Sequence, residues 1–246
     1  MKKCLIYIYL LLLTSLCCLQ AGAVSSEIRS LSVSDGLPDL VINTIYKDSK
    51  GYVWMGTNTS VERFDGIRLE HYMVEGSNEN LKRVFALVEM PGNELWVGTG
   101  MGLFRLADDA EKLERLAPEM ITSGVHAFCK LGDVLYVGTE KGLYVYKGGV
   151  FEHVLVDKNI FSRANFVTGM VEGENGILWL STMGGLKSLR LSDQSITSFS
   201  DKLAKNGQNL SFYNIARIGS KIFMGTMTSG WCFLIQPAST FHAIWM

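Results

Sequence analysis

Proline is scarce in this chain, 4 in 246 residues, and so is usable cysteine: of the 5 cysteines, Cys4, Cys17 and Cys18 crowd into the N-terminal segment and only Cys129 and Cys232 follow it. Two distant cysteines cannot make the framework that staples small secreted domains, and a chain of this length does not need one. Both are expected to be buried as small apolar residues. An excess of either charge is also missing. Lys and Arg number 23 against 24 Asp and Glu, and no basic stripe exists to neutralise phosphates, which argues against a nucleic-acid partner. No long apolar run recurs after the N-terminal segment, so no membrane span is expected in the mature chain. Ser-His-Asp, Cys-His and metal-ligand constellations are lacking as well. The sequence therefore assigns no catalytic residue, no metal and no other cofactor.

What is present begins with Met1, Lys2 and Lys3, an apolar run of 16 residues from Cys4 to Leu19, and the small residues Ala21-Gly22-Ala23. A positive start, an apolar middle and an A-x-A site are the pattern of a secretory signal peptide. The run is shorter than the roughly 18 to 20 residues a helix needs to cross a bilayer. Lipid modification requires a small residue before the cysteine, and Cys17 and Cys18 follow Leu16 and Cys17. Residues 1–23 are expected to be removed before Val24, giving an exported protein, with an uncleaved anchor as the alternative. Loss of Lys2 and Lys3 leaves 21 basic against 24 acidic residues, a net charge near −3.

Glycine is plentiful at 25, and the chain repeats itself. Five segments align: Tyr52-Val53-Trp54-Met55-Gly56-Thr57, Glu94-Leu95-Trp96-Val97-Gly98-Thr99, Val134-Leu135-Tyr136-Val137-Gly138-Thr139, Ile177-Leu178-Trp179-Leu180-Ser181-Thr182 and Lys221-Ile222-Phe223-Met224-Gly225-Thr226. The ring recurs at intervals of 42, 40, 43 and 44 residues. Each segment follows an apolar stretch and a turn rich in Gly, Asn and Asp, which reads as a hairpin, and a second turn leads into a third apolar stretch. Units of about 40 to 45 residues with four short antiparallel strands are the blades of a propeller. The expected fold is thus all-β, a β-propeller spanning 24–235, with blades near 41–72, 84–116, 125–156, 167–199 and 212–235 and an irregular tail at 236–246. Ring and glycine lie two residues apart and share a strand face, so a ring on one blade meets a gap on the next. Trp54, Trp96, Tyr136, Trp179 and Phe223, with Gly56, Gly98, Gly138, Ser181 and Gly225, are accordingly read as packing positions. A sugar-stacking role for the rings is the alternative.

The stretch Asp35-Gly36-Leu37-Pro38, then Val41 through Thr57, then Arg63-Phe64-Asp65-Gly66 resembles the opening of the two-component regulator propeller, in which D-G-L-P leads into V-x-x-I-x-x-D-x-x-G-x-x-W-x-G-T and G-L-x-x-F-D-G. Repeat one departs from it at Ser60-Val61, where the family has Gly-Leu. The resemblance implies the periplasmic sensor half of a hybrid two-component system, with an oligosaccharide as its ligand and downstream sensor-kinase domains or a homodimer partner as its associates. It also implies rings of about seven blades, whereas five are present. Either Ile28–Val33 supplies the missing outer strand of the last blade and closes a five-blade ring, or the chain is a truncated product. The tail, which breaks the repeat, favours truncation. The kinase and DNA-binding parts are absent from this sequence, and His71, His126, His153 and His242 lie in unrelated contexts.

In four-stranded blades the turn joining strands two and three shares a rim with the loop leading to the next blade. A ligand is expected at that rim, since loops on a rigid scaffold carry recognition. Asn58, Arg83, Glu140, Arg163, Asn165, Tyr213 and Asn214 are the candidate contacts. Two other classes stay open. One is a protein-interaction scaffold; the other is a propeller glycosidase or lyase, for which the acids Asp48, Asp65, Asp133 and Glu174 give no support because they repeat a turn role.

Overall fold

The computed structural model describes residues 30–74, 81–199, 210–226 and 230–235. The leader, residues 28 and 29 and the tail lie outside the described residues. Five antiparallel sheets follow one another along the chain. The first holds β1 (Thr44–Lys47), β2 (Val53–Gly56), β3 (Val61–Phe64) and β4 (Leu69–Tyr72). The second holds β5 (Val84–Met90), β6 (Glu94–Thr99), β7 (Gly102–Leu106) and β8 (Glu114–Arg115). The third is β9 (Val125–Leu131), β10 (Val134–Thr139), β11 (Gly142–Lys147) and β12 (Val150–Val154), and the fourth is β13 (Val167–Glu172), β14 (Ile177–Thr182), β15 (Gly185–Arg190) and β16 (Ile196–Ser198). The fifth has three strands, β17 (Phe212–Ile218), β18 (Lys221–Thr226) and β19 (Trp231–Ile235).

Each sheet is a meander whose first strand packs on the first strand of the next sheet: β1 on β5, β5 on β9, β9 on β13 and β13 on β17. This is the radial stacking of propeller blades, and among the described residues it forms an open arc. The strand that would close a five-blade ring does not form there. Ser30, Leu31 and Ser32 are irregular, Val33–Asp35 is a 3-10 turn, and Ser32 folds back onto Asp35, which accepts its backbone N–H at 2.9 Å and its hydroxyl at 2.7 Å. Backbone held in that local turn cannot pair as an edge strand.

The repeated residues follow from this stacking. Trp54 is buried with Leu81, Val84 and Leu87 of the second unit, Trp96 with Val125 and Val137 of the third, Tyr136 with Val167 and Met170 of the fourth, and Trp179 with Phe212, Ile215 and Met224 of the fifth. Each ring is thus wedged against the following blade, and the glycine beside it makes room. A Cβ on Gly56 would lie 2.5 Å from Val84 Cγ1, and one on Gly138 would lie 2.8 Å from Val167 Cγ1. Phe223, on the last described sheet, is only half-buried.

The threonine of the motif closes the turn that follows. Thr99 Oγ1 donates to the Gly102 carbonyl at 3.0 Å, Thr139 to Gly142 at 2.8 Å, Thr182 to Gly185 at 2.7 Å and Thr226 to Gly230 at 2.9 Å. The receiving glycines have positive φ, 125° at Gly102 and 122° at Gly142, a region that suits glycine best. Blade one keeps the device with Ser60 in that place, Thr57 Oγ1 donating to its carbonyl at 3.1 Å. The aspartate of D-x-x-G-x-x-W also has a local reason. Asp48 accepts the Tyr52 backbone N–H at 2.8 Å and the Trp54 indole N–H at 2.7 Å, so the buried ring's one donor is satisfied. Cys129 and Cys232 are free thiols, each pushed up to about 11 by burial, which leaves them protonated and unreactive at neutral pH.

Candidate functional site

At four of the five innermost strands the pairing slips by one residue near the start, and the slip has a common result. Ala86 pairs with Gly98, Ala127 with Gly138, Gly169 with Ser181 and Asn214 with Gly225, while the residue just before each, Phe85, His126, Thr168 or Tyr213, falls in a bulge. Asn43 holds the same place ahead of Thr44, which pairs with Gly56. A bulge spares one residue from the ladder and re-aims its side chain. All five of these residues line one cavity of about 660 Å³, so each blade contributes at least one side chain to it.

The cavity has an apolar wall. The rings of Phe85 and His126 lie 4.1 Å apart, and His126 and Phe166 lie 4.7 Å apart, so the imidazole is held between two phenyl rings. Met183 continues this wall, its backbone N–H donating to the Phe166 carbonyl at 3.0 Å. Burial between the rings pulls the His126 imidazole below its ordinary range; a hydrogen bond with Glu140, Nε2 to Oε1 at 3.2 Å, opposes that shift and Arg83 adds slightly to it. The remaining lining is polar. Arg83 Nε donates to Asn43 Oδ1 at 2.9 Å, Asn43 Nδ2 donates to Asn58 Oδ1 at 3.2 Å, and Thr168 Oγ1 donates to the Phe212 carbonyl at 2.7 Å.

The sequence-derived rim residues divide in this arrangement. Arg83, Tyr213 and Asn214 line the cavity, while Asn58 and Glu140 stand behind it as partners of Asn43 and His126. Arg163 lies off the lining and donates to Ser211 Oγ at 3.3 Å. Asn165 is buried, accepting from the Asp157 N–H at 2.9 Å and donating to the Asp157 and Asn159 carbonyls, so its amide shapes its own loop. The turn at Met183-Gly184 belongs to the expected rim, and Met183 does line the cavity; sequence reading missed Asn43, Phe85, His126, Phe166 and Thr168. A signal was available in the break of strict two-residue alternation at Val84-Phe85-Ala86, Val125-His126-Ala127 and Val167-Thr168-Gly169, where an extra residue intrudes between inward positions.

The histidine carries a pH prediction. In the unfolded chain His126 titrates at its ordinary value, and in the folded chain it titrates lower. Between the two values the unfolded state holds a proton that the folded state lacks, so stability is complete above the ordinary value and declines as pH falls towards the folded one. The decline from this one group cannot exceed about 1.4 kcal/mol per pH unit. Urea unfolding of the chain and of His126→Gln at pH 7 and pH 5 should show the variant losing less stability on acidification. Parallel losses would mean that the imidazole is not strained by its surroundings.

A family model described as the two component regulator propeller matches residues 36–59 of the chain. That stretch holds the Leu37-Pro38 entry, β1, the Asp48 turn and the Trp54-Met55-Gly56-Thr57 strand, and it bears out the resemblance read from those residues. No curated protein sequence matches the chain. Among solved structures, the extracellular domains of two B. thetaiotaomicron proteins described as hybrid two component systems superpose with TM-scores of 0.72 and 0.71 at 20% and 21% identity. They cover 85% and 88% of this chain, which spans only 28% and 32% of theirs. A catalytically inactive virginiamycin B lyase from Staphylococcus aureus superposes with a TM-score of 0.65 at 16% identity, over 84% of this chain and 71% of the lyase. At such identities the likeness is one of fold. The chain is a β-propeller arc, and its first blade carries a two component regulator propeller repeat.

Proposed function

We propose that this chain is the ligand-binding part of an exported sensor of the two-component regulator type, and that it takes an oligosaccharide in the axial cavity. The observation that carries the reading is the composition of that cavity. One wall is a Phe85-His126-Phe166 stack suited to the apolar face of a sugar ring, and the rest of the lining includes the amides and hydroxyls of Asn43, Thr168, Tyr213 and Asn214 for its hydroxyl groups. The Lys2 to Ala23 leader pattern supports export, and no helix among the described residues is long and apolar enough to cross a membrane. Signalling would then rest on kinase domains acting downstream of the propeller.

Calorimetric titration of the purified chain with a panel of plant and host glycan fragments is the direct test. At least one fragment should bind saturably, and Phe166→Ala should weaken it about tenfold or more, the loss expected when one stacked aromatic wall is removed. A panel without heat, or binding indifferent to Phe166, would overturn the reading. A second reading, an enzyme, is favoured by one observation: His126 and Glu140 form an acid–base pair at the cavity. Chromatography of the bound fragments after incubation separates the two, because a sensor returns its ligand intact.

A further inference from the structure

We propose that the ligand of the axial cavity carries an anionic substituent, a carboxylate or a sulfate on the sugar, and that Arg83 is the residue that takes it. This rests on the reading of the cavity as the ligand site and narrows the ligand class within it.

The argument begins with the backbone. Lys82 and Arg83 have φ of 46° and 76°, two successive non-glycine residues in the left-handed region. Such a pair is unfavourable and persists only where its surroundings enforce it. Here the enforcement is visible. Leu81 N donates to the Thr59 carbonyl at 3.2 Å, Arg83 N to Asn58 at 2.8 Å and Val84 N to Thr57 at 2.9 Å, while Gly100 N donates to the Arg83 carbonyl at 3.0 Å. Gly100 itself leaves the space, since a Cβ there would lie 2.2 Å from the Lys82 carbonyl oxygen. The inter-blade loop is thus fastened between two turns that Thr57 and Thr99 already close.

What this holding achieves is the placement of one cation. The Arg83 side chain lies against the cavity, Nε on Asn43 Oδ1 at 2.9 Å and the guanidinium carbon 5.6 Å from the Phe85 ring centre. That bond uses Nε and leaves the terminal nitrogens for a bidentate partner. Arg63, Arg105, Arg190 and Arg217 each have a carboxylate within 4.0 Å, whereas Arg83, like Arg68, Arg115 and Arg163, has none among the described residues, and of these four it alone lines the cavity. Among the described residues no acidic side chain lines the cavity, and Glu140 is engaged by His126. The site therefore presents a positive fork beside an aromatic wall, which fits a sugar ring bearing a planar or tetrahedral anion.

Matched probes decide it. The full chain is titrated with tetragalacturonate against its full methyl ester, and with a keratan sulfate tetrasaccharide, which has no uronate, against its desulfated form. One anionic member should bind at least tenfold tighter than its neutral twin, weaken as salt rises, and lose its advantage over that twin in Arg83→Gln. Which pair responds tells carboxylate from sulfate. The urea midpoint of Arg83→Gln is measured alongside, and the salt dependence of the unmodified chain serves should the variant prove unstable. Equal binding of charged and neutral twins, or an advantage that survives Arg83→Gln, overturns the anion while leaving the sugar site standing. Absence of binding by these probes and by every fragment of the neutral panel overturns both.

Discussion

Replacing Trp179 by alanine is expected to lower stability by about 3 to 5 kcal/mol, whereas the same truncation at Phe223 is expected to cost no more than about 1 to 2 kcal/mol. The two residues occupy one repeat position, the ring of the second strand. They differ in what lies over them. Trp179 is 1% exposed and packs with Phe212, Ile215 and Met224 of the following blade and against Phe199, just past the last strand of its own sheet, ring centres 5.1 Å apart. Phe223 belongs to the last described sheet and is half-buried. The loss on truncation combines the transfer of the removed atoms with the cavity they leave, and both scale with enclosure. Urea midpoints at constant slope measure it. Equal losses at the two positions would mean that the rings are stabilised within their own sheets and not by the neighbouring blade.

The second expected result is a rescue. Gly169→Ala should destabilise by about 1 to 3 kcal/mol, and Ser181→Gly in the same chain should recover most of it. Blade four differs from its neighbours in having serine at the place of the motif glycine, and the residue paired with that serine is itself a glycine. A Cβ on Gly169 would lie 2.8 Å from Ser181 Oγ and 3.0 Å from Ile215 Cγ2. Blades two and three have the converse arrangement, Ala86 opposite Gly98 and Ala127 opposite Gly138. One small side chain per pair is what the gap admits, on either strand. The doubly substituted chain reproduces the pair of blades two and three, so its stability should approach the starting value. Additive losses would show that the cross-strand pair is not the unit that matters. They would place the constraint on Ile215 alone.

Much of the fold could be read from the sequence because propeller packing writes a period into it. The rings at 54, 96, 136, 179 and 223 recur since each blade must fill the same wedge, and the strands β5, β9 and β17 begin and end where the alternating apolar stretches do. β1 starts at Thr44, later than the apolar run from Val41 suggests, because Val41 is turned outward and its N–H is taken by Asp39 Oδ1 at 2.8 Å. The cavity was less legible. One lining residue per blade comes from a bulge or, at Asn43, from the equivalent place, and such a position has no required chemistry, so Asn43, Phe85, His126, Thr168 and Tyr213 share a place without sharing a type. Nor does an asparagine in a loop announce whether it faces a ligand or, like Asn165, braces the loop from within. Arg83 was found for its charge and loop position, but the left-handed backbone that aims it has no signature of its own.

The threonine-closed turns and the bulges together divide the labour of each blade between a fixed part and a free one. A bulged position is exempt from the cross-strand pairing that disciplines its neighbours, so exchanging its side chain leaves the frame intact. Around the axis the protein therefore displays a short, editable word, one letter per blade, and related arcs could acquire new chemical tastes by respelling it without relearning how to fold.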